Sequence, residues 1–243
     1  MRAKSVSQIG EKAAVVGHSP EQYPAKTNAL NEQLDIVRRR YAMERFNVRH
    51  NIPLEESERR LRKVAGPEDF AGKRVLEIGA GCSPYLQLFL NWKCNDLVAN
   101  DLMPERLALN GITDSRYREL PGDFMNIDVE VSSFDVIFAN LTMMFLVPMM
   151  WEVISRIEAL LAPGGKLITF DPNYICPLSI YRRYADRSGA NPARVFSPYR
   201  YASLVDGAGL RVERLVPFTS NIEWTVGNWL LGTSFGMKAT KLS

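Results

Sequence analysis

A glycine pair and an aspartate have the spacing of a nucleoside-binding site. The run Val75–Ile78 ends in Gly79 and Gly81, and glycine lets the backbone turn sharply and approach a ligand without a Cβ in the way. Asp101 closes the next apolar run, 22 residues beyond Gly79. A carboxylate there can accept hydrogen bonds from both hydroxyls of a ribose. The arrangement predicts a site for a nucleoside-containing cofactor.

Neighbouring residues bear on which nucleoside this loop binds. A dinucleotide fingerprint requires a third glycine three residues after the second, but Pro84 stands there and, behind Ser83, is typical of a helix start. Glu77 adds negative charge, which is unfavourable beside a pyrophosphate and favourable beside an ammonium or a sulfonium. These residues favour S-adenosylmethionine. An NAD(P)-dependent oxidoreductase, resting on the glycines and Asp101, is the alternative, and a tight turn without a ligand is a third.

Short apolar runs alternate with helical patterns from Lys73 onward, which is typical of βα units around a parallel sheet. The predicted strands cover 74–79, 96–100, 117–120, 134–140, 165–170, 211–217 and 234–241. The predicted helices cover 84–91, 104–110, 147–161 and 198–208. The pattern indicates an α/β fold with an open, doubly wound sheet, and such sheets bind ligands beyond the carboxyl ends of their strands.

Five segments resemble, in order and spacing, the successive motifs of class I S-adenosylmethionine-dependent methyltransferases. They are E-I-G-A-G (77–81), N-D-L (100–102), G-D-F (122–124), F-D-V-I-F-A-N-L (134–141) and L-A-P-G-G-K-L (161–167). The resemblance implies a Rossmann-like, seven-stranded sheet, mostly parallel with an antiparallel C-terminal strand pair, and S-adenosyl-L-methionine as cofactor. Asp171–Asn173, followed by Pro177 and Leu178, is similar to a segment of small-molecule methyltransferases, of which the quinone-biosynthesis type is one example.

The same resemblance implies ten cofactor-binding residues. They are Glu77, Gly79, Ala80 and Gly81 at the methionine end, Asp101 at the ribose, Leu102, Asp123 and Phe124 at the adenine, and Asn140 and Leu141 at the end of the fourth strand. Three of them have simpler explanations. Asp123 could form a Gly-Asp turn, Phe124 could belong to the core, and Asn140 could cap the loop that follows.

The N-terminal part of the chain predicts a helical extension, residues 1–70, that could cover the cofactor as a lid of the domain 71–243. One helix is indicated by the periodicity of Leu30, Leu34, Val37 and Tyr41, and a second by the residues after Asn51. Residues 38–63 hold nine Arg or Lys and four Glu, a local excess of +5. Solvated helix faces explain this excess, and a basic rim that attracts an acidic substrate is the other interpretation.

Methyl transfer is an in-line displacement at carbon, so the protein mainly has to align the nucleophile and exclude water. A general base is optional, and the catalytic residues stay unknown from the sequence. His50 and His18 are weak candidates for a lid base, and surface histidines without a role are the alternative. We expect no metal, because Asn140 stands where a catechol-type metal site would need an acid.

The acceptor is expected to bind to segment 172–200 and to the extension. Arginines interleaved with aromatic residues can bind a carboxylate or phosphate and stack on a ring, although an amphipathic helix explains them too. The substrate-side candidates are Tyr41, Met144, Tyr174, Tyr181, Arg182 and Arg183. We expect a small-molecule acceptor, acidic or aromatic, methylated on oxygen, nitrogen or carbon. An RNA or other macromolecular substrate, suggested by the basic segment, is the alternative.

Composition limits the classes of protein that fit. The 243 residues are 46% hydrophobic and 23% charged, as in a globular protein, and the net charge of +3 is too small to predict a nucleic-acid or membrane partner. Three cysteines without a C-x-x-C pair suit a reducing compartment. The N-terminus lacks the apolar core of a signal peptide, and no window predicts a membrane span. We therefore expect a cytoplasmic protein.

Overall fold

The computed structural model describes residues 53–177, 180–181, 197–218 and 232–242, and a seven-stranded sheet lies at its centre. The strands are β1 (Arg74–Ile78), β2 (Asp96–Asp101), β3 (Tyr117–Pro121), β4 (Phe134–Asn140), β5 (Leu161–Pro172), β6 (Leu210–Phe218) and β7 (Ser234–Lys241). Their order is β3-β2-β1-β4-β5-β7-β6, and β7 runs antiparallel to both of its neighbours, whereas the other pairs are parallel. The predicted Rossmann-like α/β fold with an antiparallel C-terminal pair is confirmed.

With one exception, the helices lie where the local signals predict them. They are α1 (Leu54–Leu61), α2 (Pro67–Phe70), α3 (Pro84–Asn91), α4 (Pro104–Leu107), α5 (Met150–Leu160) and α6 (Pro198–Gly207). Ser83 caps α3 by accepting a hydrogen bond from the Tyr85 backbone N–H at 3.2 Å, and Ser197 caps α6 in the same way through Arg200. The short α2 was not predicted.

Two apolar layers cover the faces of the sheet. On one face, Leu76 and Ile78 of β1 pack in a cluster with α5 and α6. On the other face, Val75 packs in a cluster with α3 and with the segment that carries α1 and α2. Phe70 of α2 stacks on Phe89 of α3 with the ring centres 4.5 Å apart. The segment from α1 to α2 is therefore part of the core.

Strand β5 differs from its predicted extent. The turn predicted at Ala162–Gly165 lies inside the strand, which begins at Leu161. Leu161 pairs with Phe134 of β4 before the register shifts, so the strand starts ahead of the Pro-Gly-Gly bend instead of behind it. The first predicted helix, with Leu34 and Tyr41, lies outside the described residues. In the described part of the chain, no helix has the length and apolarity that crossing a bilayer requires.

Candidate functional site

The loop after β1 has a backbone that only glycine adopts without strain. Gly79 and Gly81 have φ angles of +65° and +47°, in the left-handed region. A Cβ on Gly79 would collide with the side chain of Thr142, and one on Gly81 would lie 2.7 Å from a guanidinium nitrogen of Arg106. The left-handed conformation therefore favours glycine at both positions, and at Gly79 the Thr142 side chain also leaves no room for a Cβ.

Asp101 ties this loop to the end of β2. One carboxylate oxygen accepts the Gly81 backbone N–H at 2.8 Å, and the other accepts the Met103 N–H at 2.9 Å. The Ala80 N–H donates to the backbone carbonyl of Asn100 at 2.9 Å. Burial raises the pKa of Asp101, and the two backbone N–H groups oppose that rise. The carboxylate is thus held at the rim of the glycine loop, and Leu102 follows it, half-buried.

Glu77 is a carboxyl group buried beneath the same loop. Its exposed fraction is 1%, and within the described part of the chain its Oε2 atom has no hydrogen-bond partner. Burial and the nearby charge of Asp101 raise the pKa of Glu77 to about 8, against a hydrogen bond with Ser83. A buried acceptor of this kind fits a ligand that brings a positive charge or N–H donors, such as the ammonium and sulfonium of S-adenosylmethionine.

The loop after β3 is braced from β2. The side-chain amide of Asn100 donates to the carbonyls of Leu120 and Gly122, at 2.8 and 3.0 Å. Asp123 accepts the Met125 N–H at 3.0 Å and the Asn126 side-chain amide, so it does form a turn. Phe124 is 5% exposed and packs into the apolar cluster with α5.

The end of β4 carries a strained residue. Leu141 has a φ angle of +55°, which is costly for a residue with a Cβ, and its N–H donates to the Phe170 carbonyl at 2.7 Å. The Thr142 hydroxyl donates to the carbonyls of Ile78 and Asn140, both at 3.1 Å. These bonds hold the backbone after β4 against the loop after β1. Asn140 and Leu141 thereby lie next to the predicted cofactor residues.

A cleft opens between α1 and the carboxyl ends of β4 and β5. Its lining combines charged side chains of α1 with aromatic rings and strand ends: Glu56, Arg59, Arg60, Lys63, Tyr85, Asn140, Leu141, Phe170, Phe218, Thr233 and Ser234. Two of the predicted cofactor residues, Asn140 and Leu141, therefore also belong to this cleft.

Most of the residues that line the cleft were not among the site residues predicted from the sequence. Met144 and Tyr174 are half-buried and Tyr181 is 69% exposed, and these three are not among the described lining residues. The other candidates, Tyr41, Arg182, Arg183, His18 and His50, lie outside the described residues. The charge excess of segment 38–63 was the one signal that pointed to the cleft, through Arg59, Arg60 and Lys63.

A buried acid lies beside the loop after β4. Asp171 is fully buried, and it accepts the Met144 N–H at 3.2 Å, so it holds the turn that follows Leu141. Burial raises the pKa of Asp171 well above its ordinary value, against the backbone N–H groups of Met143 and Met144. Among the residues that the structure describes, no three side chains of His, Cys, Asp or Glu are grouped as metal ligands.

Comparisons with known proteins agree with this geometry. Residues 76–169 match the family model described as a methyltransferase domain. A methyltransferase from Haloferax volcanii, solved in complex with the Trm112 methyltransferase activator, is similar at a TM-score of 0.68 with 14% identity, over 83% of this chain and 96% of that one. An S-adenosylmethionine-dependent methyltransferase from Mesorhizobium loti is similar at 0.63 with 15% identity, over 78% and 100%. One from Archaeoglobus fulgidus is similar at 0.63 with 17% identity, over 81% and 98%. A search of curated protein sequences gave no match.

Proposed function

We propose that the protein, in which residues 76–169 match a methyltransferase domain, uses S-adenosylmethionine to methylate a small molecule bound in the cleft under α1. The observation that carries the proposal is that Asn140 and Leu141 line the cleft at the end of β4, beside the glycine loop. An acceptor in the cleft would thus lie next to the methionine end of the cofactor. The acceptor atom would be an oxygen, a nitrogen or a carbon.

Different site residues would bind different parts of the cofactor. S-adenosylmethionine supplies an electrophilic methyl group on a sulfonium. Glu77, Gly79, Ala80 and Gly81 would hold its methionine part, and Asp101 would accept the ribose hydroxyls. Leu102 and the turn at Asp123 and Phe124 would enclose the adenine. The buried Oε2 of Glu77 supports this assignment, because it needs a donor or a positive charge that the described residues do not provide.

For the transfer itself, the protein would align the acceptor and exclude water. Alignment alone can contribute about 7–11 kcal/mol to lowering a barrier. Tyr85 is 1% exposed and lines the cleft, and burial raises its pKa above the ordinary value of 10.0. The phenol therefore stays protonated at neutral pH and would orient an acceptor as a hydrogen-bond donor. It would not serve as a base.

The N-terminal part would cover this site. We propose the division into an extension, residues 1–70, and a catalytic domain, residues 71–243, with 172–200 on the substrate side. In support, α1 forms one wall of the cleft while Leu61 and Phe70 anchor its segment in the core.

A macromolecular substrate is the second candidate. It is favoured by the Haloferax volcanii neighbour, which is bound to a methyltransferase activator. At 14% identity that likeness bears on the fold alone. The cleft, walled by α1 and floored by aromatic rings, favours a small acceptor.

Calorimetry and a labelling assay test the proposal. S-adenosylmethionine should bind with micromolar affinity, Asp101→Ala should weaken it strongly, and Asp96→Ala, at the far end of β2, should leave it unchanged. With labelled cofactor and fractionated cell extract, label should move to the low-molecular-mass fraction. Label found in RNA or protein instead would refute the small-molecule assignment, and failure to bind the cofactor would refute the whole proposal.

A further inference from the structure

We propose that the cleft under α1 binds the anionic end of the methyl acceptor, a carboxylate or a phosphate, through the Arg60 guanidinium with support from Lys63. The acceptor would then be an organic acid or phosphate ester whose apolar body lies on the aromatic floor of the cleft. This inference rests on the proposed function, because it concerns the acceptor of that reaction.

The charges that line the cleft are unequal. Glu56 is its one acid among the described lining residues, and it accepts hydrogen bonds from both Arg59 and Arg60. Lys63 also lines the cleft, from just beyond α1. One carboxylate shared by two arginines leaves one positive charge in excess on this wall of the cleft. A site of this composition attracts an anion.

Arg60 is oriented for a further acceptor. Its Nε donates to the Glu56 Oε1 atom at 2.8 Å, and this is its one hydrogen bond to a side chain within the described residues. Glu56 therefore fixes the guanidinium in place while the terminal N–H groups stay available. The planar end of an arginine can hold a carboxylate or phosphate by two parallel hydrogen bonds. Burial raises the pKa of Tyr85, and Arg60 lies close enough to the phenol for its charge to oppose that rise.

The floor of the cleft is aromatic. The rings of Phe170 and Phe218 are 5.3 Å apart, and those of Tyr85 and Phe170 are 6.0 Å apart and nearly parallel. The ammonium of Lys63 lies 5.8 Å from the centre of the Phe218 ring, so positive charge and apolar surface meet at this point. An anion with a flat or apolar body matches both features.

The two ends of the cleft differ, which gives the acceptor a direction. Arg60 and Lys63 lie on the α1 side, whereas Asn140 and Leu141 lie on the side of the glycine loop. An acceptor held by its anionic end would point its other end toward the methionine part of the cofactor. A polynucleotide would need a groove along the protein surface for its backbone, whereas the described residues line a cleft under a helix. The cleft therefore suits a small anion better than a nucleic acid.

The test uses simple probes and the full-length protein saturated with S-adenosylhomocysteine. Benzoate, phenyl phosphate and the neutral isostere benzamide would be compared by saturation-transfer NMR. At least one anion should bind about ten-fold more tightly than benzamide, and the better one identifies the group. Arg60→Gln and Lys63→Gln should each remove most of that preference and leave S-adenosylhomocysteine affinity unchanged.

Arg62→Gln is the matched control, because Arg62 directly follows α1, between Arg60 and Lys63, but pairs with Glu58 and lies over the Trp92 ring, away from the cleft. Its anion preference should equal that of the unchanged protein. Equal binding of benzoate, phenyl phosphate and benzamide would overturn the inference. So would a matching loss of S-adenosylhomocysteine affinity in the Arg60 variant, because the cation would then hold the carboxylate of the cofactor. Tight, salt-sensitive binding of RNA in place of the probes would also overturn it. Loss of cofactor binding in the unchanged protein would instead refute the proposed function.

Discussion

The carboxylate of Asp101 and the backbone N–H of Gly81 are joined by a hydrogen bond of 2.8 Å. This bond connects the carboxyl ends of two neighbouring strands, β2 and β1. It means that the residue predicted to hold the ribose also fixes the loop predicted to hold the methionine. Changes at Asp101 should therefore affect both parts of the cofactor.

The first prediction concerns Asp101→Asn. The amide keeps one oxygen acceptor, but it presents N–H groups where the second oxygen accepted a backbone N–H. We expect affinity for S-adenosylmethionine to fall about ten-fold, and about a hundred-fold for Asp101→Ala, in calorimetry. Asp96→Asn, which alters an exposed ion pair with Arg118, should leave the affinity unchanged. If the three variants and the unchanged protein bound S-adenosylmethionine with equal affinity, the role given to Asp101 would be contradicted.

The second prediction concerns Glu77 and pH. The pKa of Glu77 is raised from 4.5 to about 8 by burial, so the folded protein binds a proton more tightly than the unfolded chain. Between these values the free energy of unfolding should fall as pH rises, by at most about 1.4 kcal/mol per pH unit from this group. Glu77→Gln cannot ionise and should remove that decrease.

Urea denaturation across this pH range, without cofactor, measures the difference. The glutamine variant should become progressively more stable than the unchanged protein as pH rises, yet bind S-adenosylmethionine more weakly. If the free energy of unfolding depended on pH in the same way in both proteins, the raised pKa of Glu77 would be contradicted.

The third prediction concerns Asp69, which is 3% exposed and pairs with Lys166 of β5 and Lys238 of β7. Burial would raise its pKa, but hydrogen bonds from Lys166 and the Gly66 N–H, with the charge of Lys238, hold the pKa below 3.8. Folding thus stabilises the ionised carboxylate of Asp69. Its contribution to the free energy of unfolding is fully present above the pKa that Asp69 has in the unfolded chain, and it is lost as the pH falls through the lower pKa of the folded protein. Asp69→Asn should cost about 1–3 kcal/mol at neutral pH and little in acid.

Thermal unfolding at several pH values compares this variant with Asp135→Asn. Asp135 is also paired, with Arg74, but both side chains are partly exposed, so we expect a loss of at most about 1 kcal/mol. A cost for Asp69→Asn that does not change between neutral and acid pH would contradict the ionic contribution.

The fourth prediction concerns the left-handed backbone at Leu141. Alanine there would retain the strain of the positive φ angle, whereas glycine would relieve it. We therefore expect Leu141→Gly to be more stable than Leu141→Ala by about 1 kcal/mol in urea denaturation. At Leu146, where φ is −98°, the order should be reversed. Alanine more stable than glycine at both positions would mean that the strain is absent.

Local signals in the sequence were sufficient for most of the fold. Ser83 and Ser197 cap their own helices, so their positions could be read from neighbouring residues. The start of β5 could not, because it depends on the pairing of Leu161 with Phe134 in another strand. The strain at Leu141 has no sequence signal, because leucine gives no sign of a left-handed backbone.

The residues proposed to bind the cofactor carry a sequence signal, whereas most residues of the cleft do not. Glu77 and Gly79 lie within a few residues of each other, and Asp101 follows at a characteristic spacing. The cleft instead joins α1 with Phe170 and Phe218, which come together only through the order of strands in the sheet. The spacing of these residues along the chain therefore does not predict that they line one cleft.

Asn100 and Asp101 are consecutive residues of β2, and each holds the loop of a different neighbouring strand. Hydrogen bonds made by adjacent residues of one strand therefore help to set the separation between the glycine loop and the Gly122 turn. An engineered cofactor analogue lengthened between its sugar and its base would require a rebuilt β2. One that carries a bulkier transferable group would call for changes only around the cleft.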